Sequence, residues 1–183
     1  MGKSEVYVNG QLLKKHYGGY LPVILDVTNL LKWGEENVIA VKADNSDDPS
    51  YPVGKPQNML DFTYFGGIYR DCWLIAHNYV FITDPNYENE IAGGGLFIAT
   101  DRVSEQSTDI LLKAHIRNED KQGFAGKISY SLVDREGKEV ASSDVKLNIR
   151  KGTATSHNGK MKVKQPHLWT PESPYLYNLC VRI

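Results

Sequence analysis

Ile110-Leu111-Leu112-Lys113-Ala114-His115-Ile116 puts Ile110, Leu112, Ala114 and Ile116 at every second position. A β-strand sends successive side chains to opposite faces, so this spacing predicts a strand with one apolar side. Ile128-Ser129-Tyr130-Ser131-Leu132-Val133 repeats the pattern, with Ile128, Tyr130 and Leu132 on one side. Reading outward from these two stretches, strands are expected at 4–8, 11–16, 21–25, 37–43, 67–77, 79–83, 95–101, 139–149, 159–164 and 175–182. Asn9-Gly10 lies between two apolar runs and is a hairpin signal, because both residues tolerate positive φ. Asp134-Arg135-Glu136-Gly137 is a second turn of this kind. One short helical turn is expected at Asn29-Leu30-Leu31-Lys32, capped by Asp26 or Thr28 and stopped by Gly34. Many short strands between turn residues predict an all-β protein built of sandwiches rather than a parallel sheet.

The 183 residues suffice for one large domain or two small ones. A boundary is expected near His77-Asn78-Tyr79, giving domains 1–78 and 79–183. The first is rich in Gly, Pro and Tyr; the second has immunoglobulin-like strand spacing. Lys and Arg total 21 against 22 Asp and Glu, a net charge of −1. That balance leaves no basic excess for phosphates, so no nucleic-acid partner is expected. Apolar runs are only a few residues long, and residues 1–20 have no apolar core like a signal peptide's, so no membrane partner is expected. Cys72 and Cys180 form neither a disulfide framework nor a zinc site, and are expected to be buried structural thiols. Eleven tyrosines and three tryptophans are the less usual feature.

The richest chemistry lies in Asn58-Met59-Leu60-Asp61-Phe62-Thr63-Tyr64-Phe65-Gly66-Gly67-Ile68-Tyr69-Arg70-Asp71-Cys72-Trp73-Leu74, after a Pro-rich polar loop at 47–56. A carboxylate among aromatic rings suits a sugar, whose hydroxyls donate to Asp61 while flat rings cover its apolar face. The competing reading makes Asp61 a turn cap and the aromatics core. Gly66-Gly67 reads as a bulge or a close backbone contact. Arg70 reads as the partner of Asp71 or Asp61, ahead of an anion-binding role. The histidines at 16, 77, 115, 157 and 167 lack metal-ligand spacing. There is no Gly-x-Ser-x-Gly elbow and no phosphate loop; Gly93-Gly94-Gly95 is a plain turn. No pair of carboxylates is marked for glycoside hydrolysis.

Asp61-Phe62-Thr63-Tyr64-Phe65-Gly66-Gly67-Ile68-Tyr69-Arg70 closely resembles the signature of glycoside hydrolase family 2, which contains β-galactosidases, β-glucuronidases and β-mannosidases. Val6–Gly10, Gly19–Pro22, Asp26–Thr28 and Gly34–Val41 with Asp44-Asn45 are similar to the second half of that family's sugar-binding jelly roll. His167-Leu168-Trp169-Thr170-Pro171-Glu172-Ser173-Pro174-Tyr175-Leu176-Tyr177 is similar to a segment near the end of its immunoglobulin-like domain. The resemblance implies a partial jelly roll followed by an immunoglobulin-like sandwich without its last strand. It also implies an excised piece of a larger enzyme, whose absent TIM barrel carries both catalytic Glu residues. No catalytic residue is therefore assigned here, and the piece alone is expected to be inactive. Asp61 would bind the terminal sugar, with Asn58 a weaker neighbour; Gly66, Gly67, Ile68, Arg70 and Trp169 would be structural. No cofactor is expected in these residues, while a monovalent or magnesium cation is implied for the parent. The implied partners are a terminal β-linked sugar, galactose favoured over glucuronic acid or mannose, and the barrel in cis. A homo-oligomer stays open, as does a cytoplasmic or periplasmic parent. Two rival readings are a free-standing carbohydrate-binding module and an immunoglobulin-like adhesion or assembly domain.

Overall fold

The computed structural model describes residues 2–48, 57–59, 66–88, 90–91 and 93–183. The chain divides into two compact units, Met1–Leu74 and Ile75–Ile183. Both are built from antiparallel β-strands, so the all-β expectation holds.

In the first unit, β1 (Lys3–Val8), β2 (Gln11–Tyr17) and β3 (Ile39–Asp44) form a sheet in the order β2-β1-β3. Asn9 and Gly10 make the β1–β2 turn with φ of 51° and 81°, the two left-handed residues that a type I′ hairpin requires. Asn9 does more than turn the chain. Its Nδ2 donates to the Leu30 carbonyl at 2.8 Å and to Asn37 Oδ1 at 2.9 Å, and its Oδ1 accepts from Val38 N at 3.0 Å. The turn is thereby tied to the segment that leads into β3. A bulge between Val6 and Tyr7 shifts the β1–β2 register, which sharpens the local twist. Ser4, Val6 and Val8 face the buried side.

Three expectations for this unit are corrected. The helical turn is a single 3-10 turn at Thr28–Leu30, with Thr28 N held by Asp26 Oδ1 at 2.9 Å; it ends before Gly34. Residues 21–25 form no strand, because Pro22 lacks the N–H that a ladder needs. Residues 67–77 form no strand either. Gly67 sits at φ 86°, and alternation without a pairing partner does not make a strand.

In the second unit, β4 (Val80–Ile82), β5 (Leu96–Asp101), β6 (Ser107–Asn118) and β9 (Thr153–Lys164) form one sheet. β4 and β5 share one edge of β6, at Ile116–Asn118 and at Asp109–Ala114, and β9 pairs along its other edge. The second sheet runs β10-β7-β8, from β7 (Phe124–Val133), β8 (Glu139–Ile149) and β10 (Asn178–Arg182). The two sheets face each other as a sandwich around Ile110, Leu112, Ala114, Ile116, Ile128, Tyr130, Leu132, Leu147, Ile149, Met161 and Val163. These include every inward residue expected on β6 and β7. Burying each large apolar side chain contributes roughly 1.5–3 kcal/mol before chain entropy is counted.

Polar groups fix the ends of the sandwich. Asn118 is fully buried; its Nδ2 donates to the Gln122 and Ile149 carbonyls at 2.9 and 3.1 Å. One side chain thus joins the ends of β6 and β8, which belong to different sheets. Asp134 Oδ1 accepts from Glu136 N and Lys138 N, closing the expected turn with Gly137 at φ 82°.

Candidate functional site

Asp61, the central expected sugar contact, and Phe62–Phe65 lie outside the described residues. Asn58 stands on a 3-10 turn at Gln57–Met59 and is exposed, as is Met59, so the Asn58 amide is open to a solute. On the other side of the motif, a Cβ at Gly66 would lie 3.1 Å from Asn45 Oδ1. That is the close approach a glycine permits, and Gly67 supplies a left-handed turn directly after it. Ile68 and Tyr69 are exposed, and the Tyr69 hydroxyl donates to the Gly19 carbonyl at 3.2 Å.

Of the two carboxylates expected to pair with Arg70, Asp61 lies outside the described residues and Asp71 does not pair with it. The Arg70 guanidinium stacks over its neighbour Tyr69, 5.6 Å from the ring centroid. Adjacent residues on an irregular segment need not face each other, and a planar guanidinium gains from an aromatic face. The cysteines also differ from expectation: Cys72 and Cys180 are both free and exposed. Cys72 lies on the stretch that is not a strand. Cys180 lies opposite Ser131, on the outward side of β10 and β7.

Trp169 belongs to the second unit and is 58% exposed. Its loop is anchored by neighbours instead. Arg135 Nη2 donates to the Pro174 carbonyl at 2.5 Å, and its guanidinium lies 4.6 Å from the Tyr175 ring centroid. Tyr175 packs against His167 and Tyr177, and Tyr177 Oη accepts from His167 N at 2.8 Å. His115 is buried against Thr83 Oγ1 at 2.9 Å, and His157 Nε2 lies 2.6 Å from Thr155 Oγ1. Among the described residues no group of three or more His, Cys, Asp or Glu could hold a metal ion.

One cluster was not singled out from the sequence. Lys3, Glu5, Lys15, Tyr17, Lys42 and Asp44 line a hollow of about 170 Å³ on the β2–β1–β3 sheet. Register brings them together: Lys3 lies opposite Tyr17 and Asp44, and Glu5 lies opposite Lys15 and Lys42. Lys3 Nζ contacts Asp48 Oδ2 at 2.9 Å and Asp44 Oδ2 at 3.8 Å; Lys15 Nζ contacts Glu5 Oε1 at 3.1 Å. The Tyr7 hydroxyl donates to Glu5 Oε2 at 2.5 Å. Hydrogen bonds from Tyr7 and then Lys15 hold the Glu5 carboxyl below its ordinary range. The bond to Glu5 raises Lys15, and the bond to Asp48 raises Lys3. The signal in the sequence was charge at every second position, Lys3/Glu5 and Lys42/Asp44, which a search for apolar alternation passes over.

The sequence profile of glycosyl hydrolases family 2 matches residues 91–183, just over half the chain. The chain belongs to glycosyl hydrolases family 2. Other family members extend the match to the first unit. A β-galactosidase from Bacteroides ovatus is 33% identical over 181 residues, covering 98% of this chain and 19% of that protein. A β-glucuronidase from Formosa agariphila is 31% identical over 180 residues, covering 96% of this chain and 18% of that protein. Among solved structures, a Bacteroides fragilis protein superposes on 99% of this chain and 26% of its own, with TM-score 0.78 and 35% identity. A Bacteroides uniformis β-glucuronidase superposes on 98% of this chain and 20% of its own, with TM-score 0.77 and 27% identity. This family 2 chain therefore spans about a fifth of the length of the curated relatives it matches.

Proposed function

We propose that the chain is the non-catalytic N-terminal part of a retaining exo-glycosidase that removes terminal β-galactosyl residues. The observation that carries this reading is coverage: nearly all of the chain aligns with two differently named glycosidases, yet fills only about a fifth of each. The remaining four-fifths of such an enzyme would include the barrel. One Glu there would act as nucleophile, forming a glycosyl intermediate, and the other as acid and base. The three-stranded sheet unit and the β-sandwich unit support that barrel, and Asp61 accepts hydrogen bonds from hydroxyls of the terminal sugar. The galactoside preference rests on the 61–70 motif and the tyrosine-rich stretches around it. A β-glucuronidase is the second reading, favoured by the name of a relative at 31% identity, against 33% for the β-galactosidase.

Assaying the full-length parent on nitrophenyl β-galactoside and β-glucuronide tests both. Faster turnover of the galactoside is expected; preference for the glucuronide selects the second reading. The 183-residue chain alone is expected to hydrolyse neither. A turnover abolished by a point substitution within it would overturn the non-catalytic assignment.

A further inference from the structure

At one end of the first unit's sheet β1 begins while β2 and β3 finish, and backbone bonds hold the three together. Gly2 N donates to the Asp44 carbonyl at 2.9 Å, and Gly2 O accepts from Gly18 N at 2.9 Å. Just past β3 the chain makes a tight polar turn. Asp44 Oδ1 accepts from Ser46 N at 2.9 Å and from Ser46 Oγ at 2.6 Å, an Asx turn with Asn45 at its centre. Lys3 Nζ, at the start of β1, contacts Asp48 Oδ2 at 2.9 Å and so fastens the chain beyond the turn. Asn45 thus springs from backbone that is fixed on both sides.

The stretch that starts at Gly66 meets this same end of the sheet twice. Gly66 lies against the Asn45 amide: a Cβ there would stand 3.1 Å from Oδ1, 3.5 Å from Cγ and 3.6 Å from Nδ2. Gly67 then turns the chain, and the Tyr69 hydroxyl donates to the carbonyl of Gly19, just past β2. The two contacts differ in kind. Tyr69 is 62% exposed, so water can replace its single neutral hydrogen bond at little cost. The Asn45 contact is steric, and any side chain at position 66 would press on it. Gly66 is not among the residues with positive φ, so close approach, and not backbone conformation, is what a glycine supplies there. Asp61 precedes Gly66 by five positions, so a shift at Gly66 is passed back along a short tether.

We propose that Asn45 is a positioning residue for Asp61: its amide, packed on Gly66, sets where the segment that leads back to Asp61 leaves the sheet. This rests on the reading of Asp61 as a contact to the terminal sugar. Asn45 touches no substrate and acts through the carboxylate alone. Small displacements matter there, because a hydrogen bond weakens with distance and angle, and misplacing a group by about 1 Å can cost roughly a hundredfold in rate.

The test is a set of substitutions in the full-length parent, assayed on whichever of nitrophenyl β-galactoside and β-glucuronide it turns over faster. Gly66→Ala drives a methyl against the amide, and Asn45→Ser withdraws the amide while keeping a polar side chain. Each is expected to lower kcat/KM roughly tenfold, with Tm little changed. The deciding measurement repeats both in the Asp61→Asn background. There neither should lower kcat/KM further, because the group they position is already lost. A second loss of the same size in that background would mark a general structural role and overturn the inference. So would an unchanged kcat/KM in both single variants while Asp61→Asn alone is impaired, an outcome that spares the role of Asp61. An unchanged kcat/KM in Asp61→Asn would instead remove the sugar contact, and this inference with it.

Discussion

Gly159 on β9 lies directly against Tyr130 on β7: a Cβ at position 159 would stand 3.0 Å from Cε2 of the tyrosine ring. Tyr130 is 1% exposed and fixed between the two sheets, so the ring has nowhere to retreat. Gly159→Ala is therefore expected to lower stability by about 1 kcal/mol or more, overpacking outweighing alanine's better strand propensity. Thermal unfolding of the chain checks this; an unchanged or higher Tm would show that the sheets can part at no cost.

The same tyrosine carries a hydroxyl with no hydrogen-bond partner among the described residues, and burial raises its pKa above the ordinary phenol value. An unmade bond in a core costs the desolvation of the group. Tyr130→Phe should thus leave stability unchanged or raise it by up to about 1 kcal/mol. A loss of that size in denaturant unfolding would mean that the hydroxyl is bonded in the folded protein.

His157 is held below its ordinary pKa by burial. The folded state then binds a proton less readily than the unfolded one. Its contribution is fully present above the unfolded value, about 6.5, and is lost as pH falls through the folded value. Stability of the second unit should decline from pH 7 to pH 5, and His157→Gln should flatten that part of the curve. Parallel curves for the two proteins would remove His157 as the cause.

Arg117 on β6 holds Glu88 by two contacts, Nη2 to Oε1 and Nε to Oε2, the latter at 3.2 Å. Near it, Gly95 N donates to Thr83 Oγ1 at 3.0 Å. These contacts hold the segment between β4 and β5 against the sheet. Glu88→Gln should cost about 1 kcal/mol, felt locally as faster amide exchange at 84–95 with little change in Tm. Uniform acceleration across β6 and β7 would instead make the pair part of the global core.

For Asp61, Asp61→Asn in the full-length parent should lower kcat/KM roughly 10–150-fold, the equivalent of about 1.5–3 kcal/mol for a charge-assisted hydrogen bond. An unchanged kcat/KM would take Asp61 out of the sugar site.

The sequence by itself determined the sandwich of the second unit. Ile110, Leu112, Ala114 and Ile116 alternate strictly, and burial of one face leaves a single workable register, so the inward residues could be named in advance. Asn9-Gly10 likewise determined a hairpin, because few residue pairs accept positive φ at both positions. The family was legible too, since its motif is local in the chain. Tertiary structure alone decided what depends on pairing between distant segments. It left 67–77 without a ladder despite their strand-like composition and exposed both cysteines. It made Asn118 a link between sheets and gathered Lys3, Glu5, Lys15, Tyr17, Lys42 and Asp44 into one hollow. Local sequence sets which face a side chain takes, but cross-strand register sets which side chains meet.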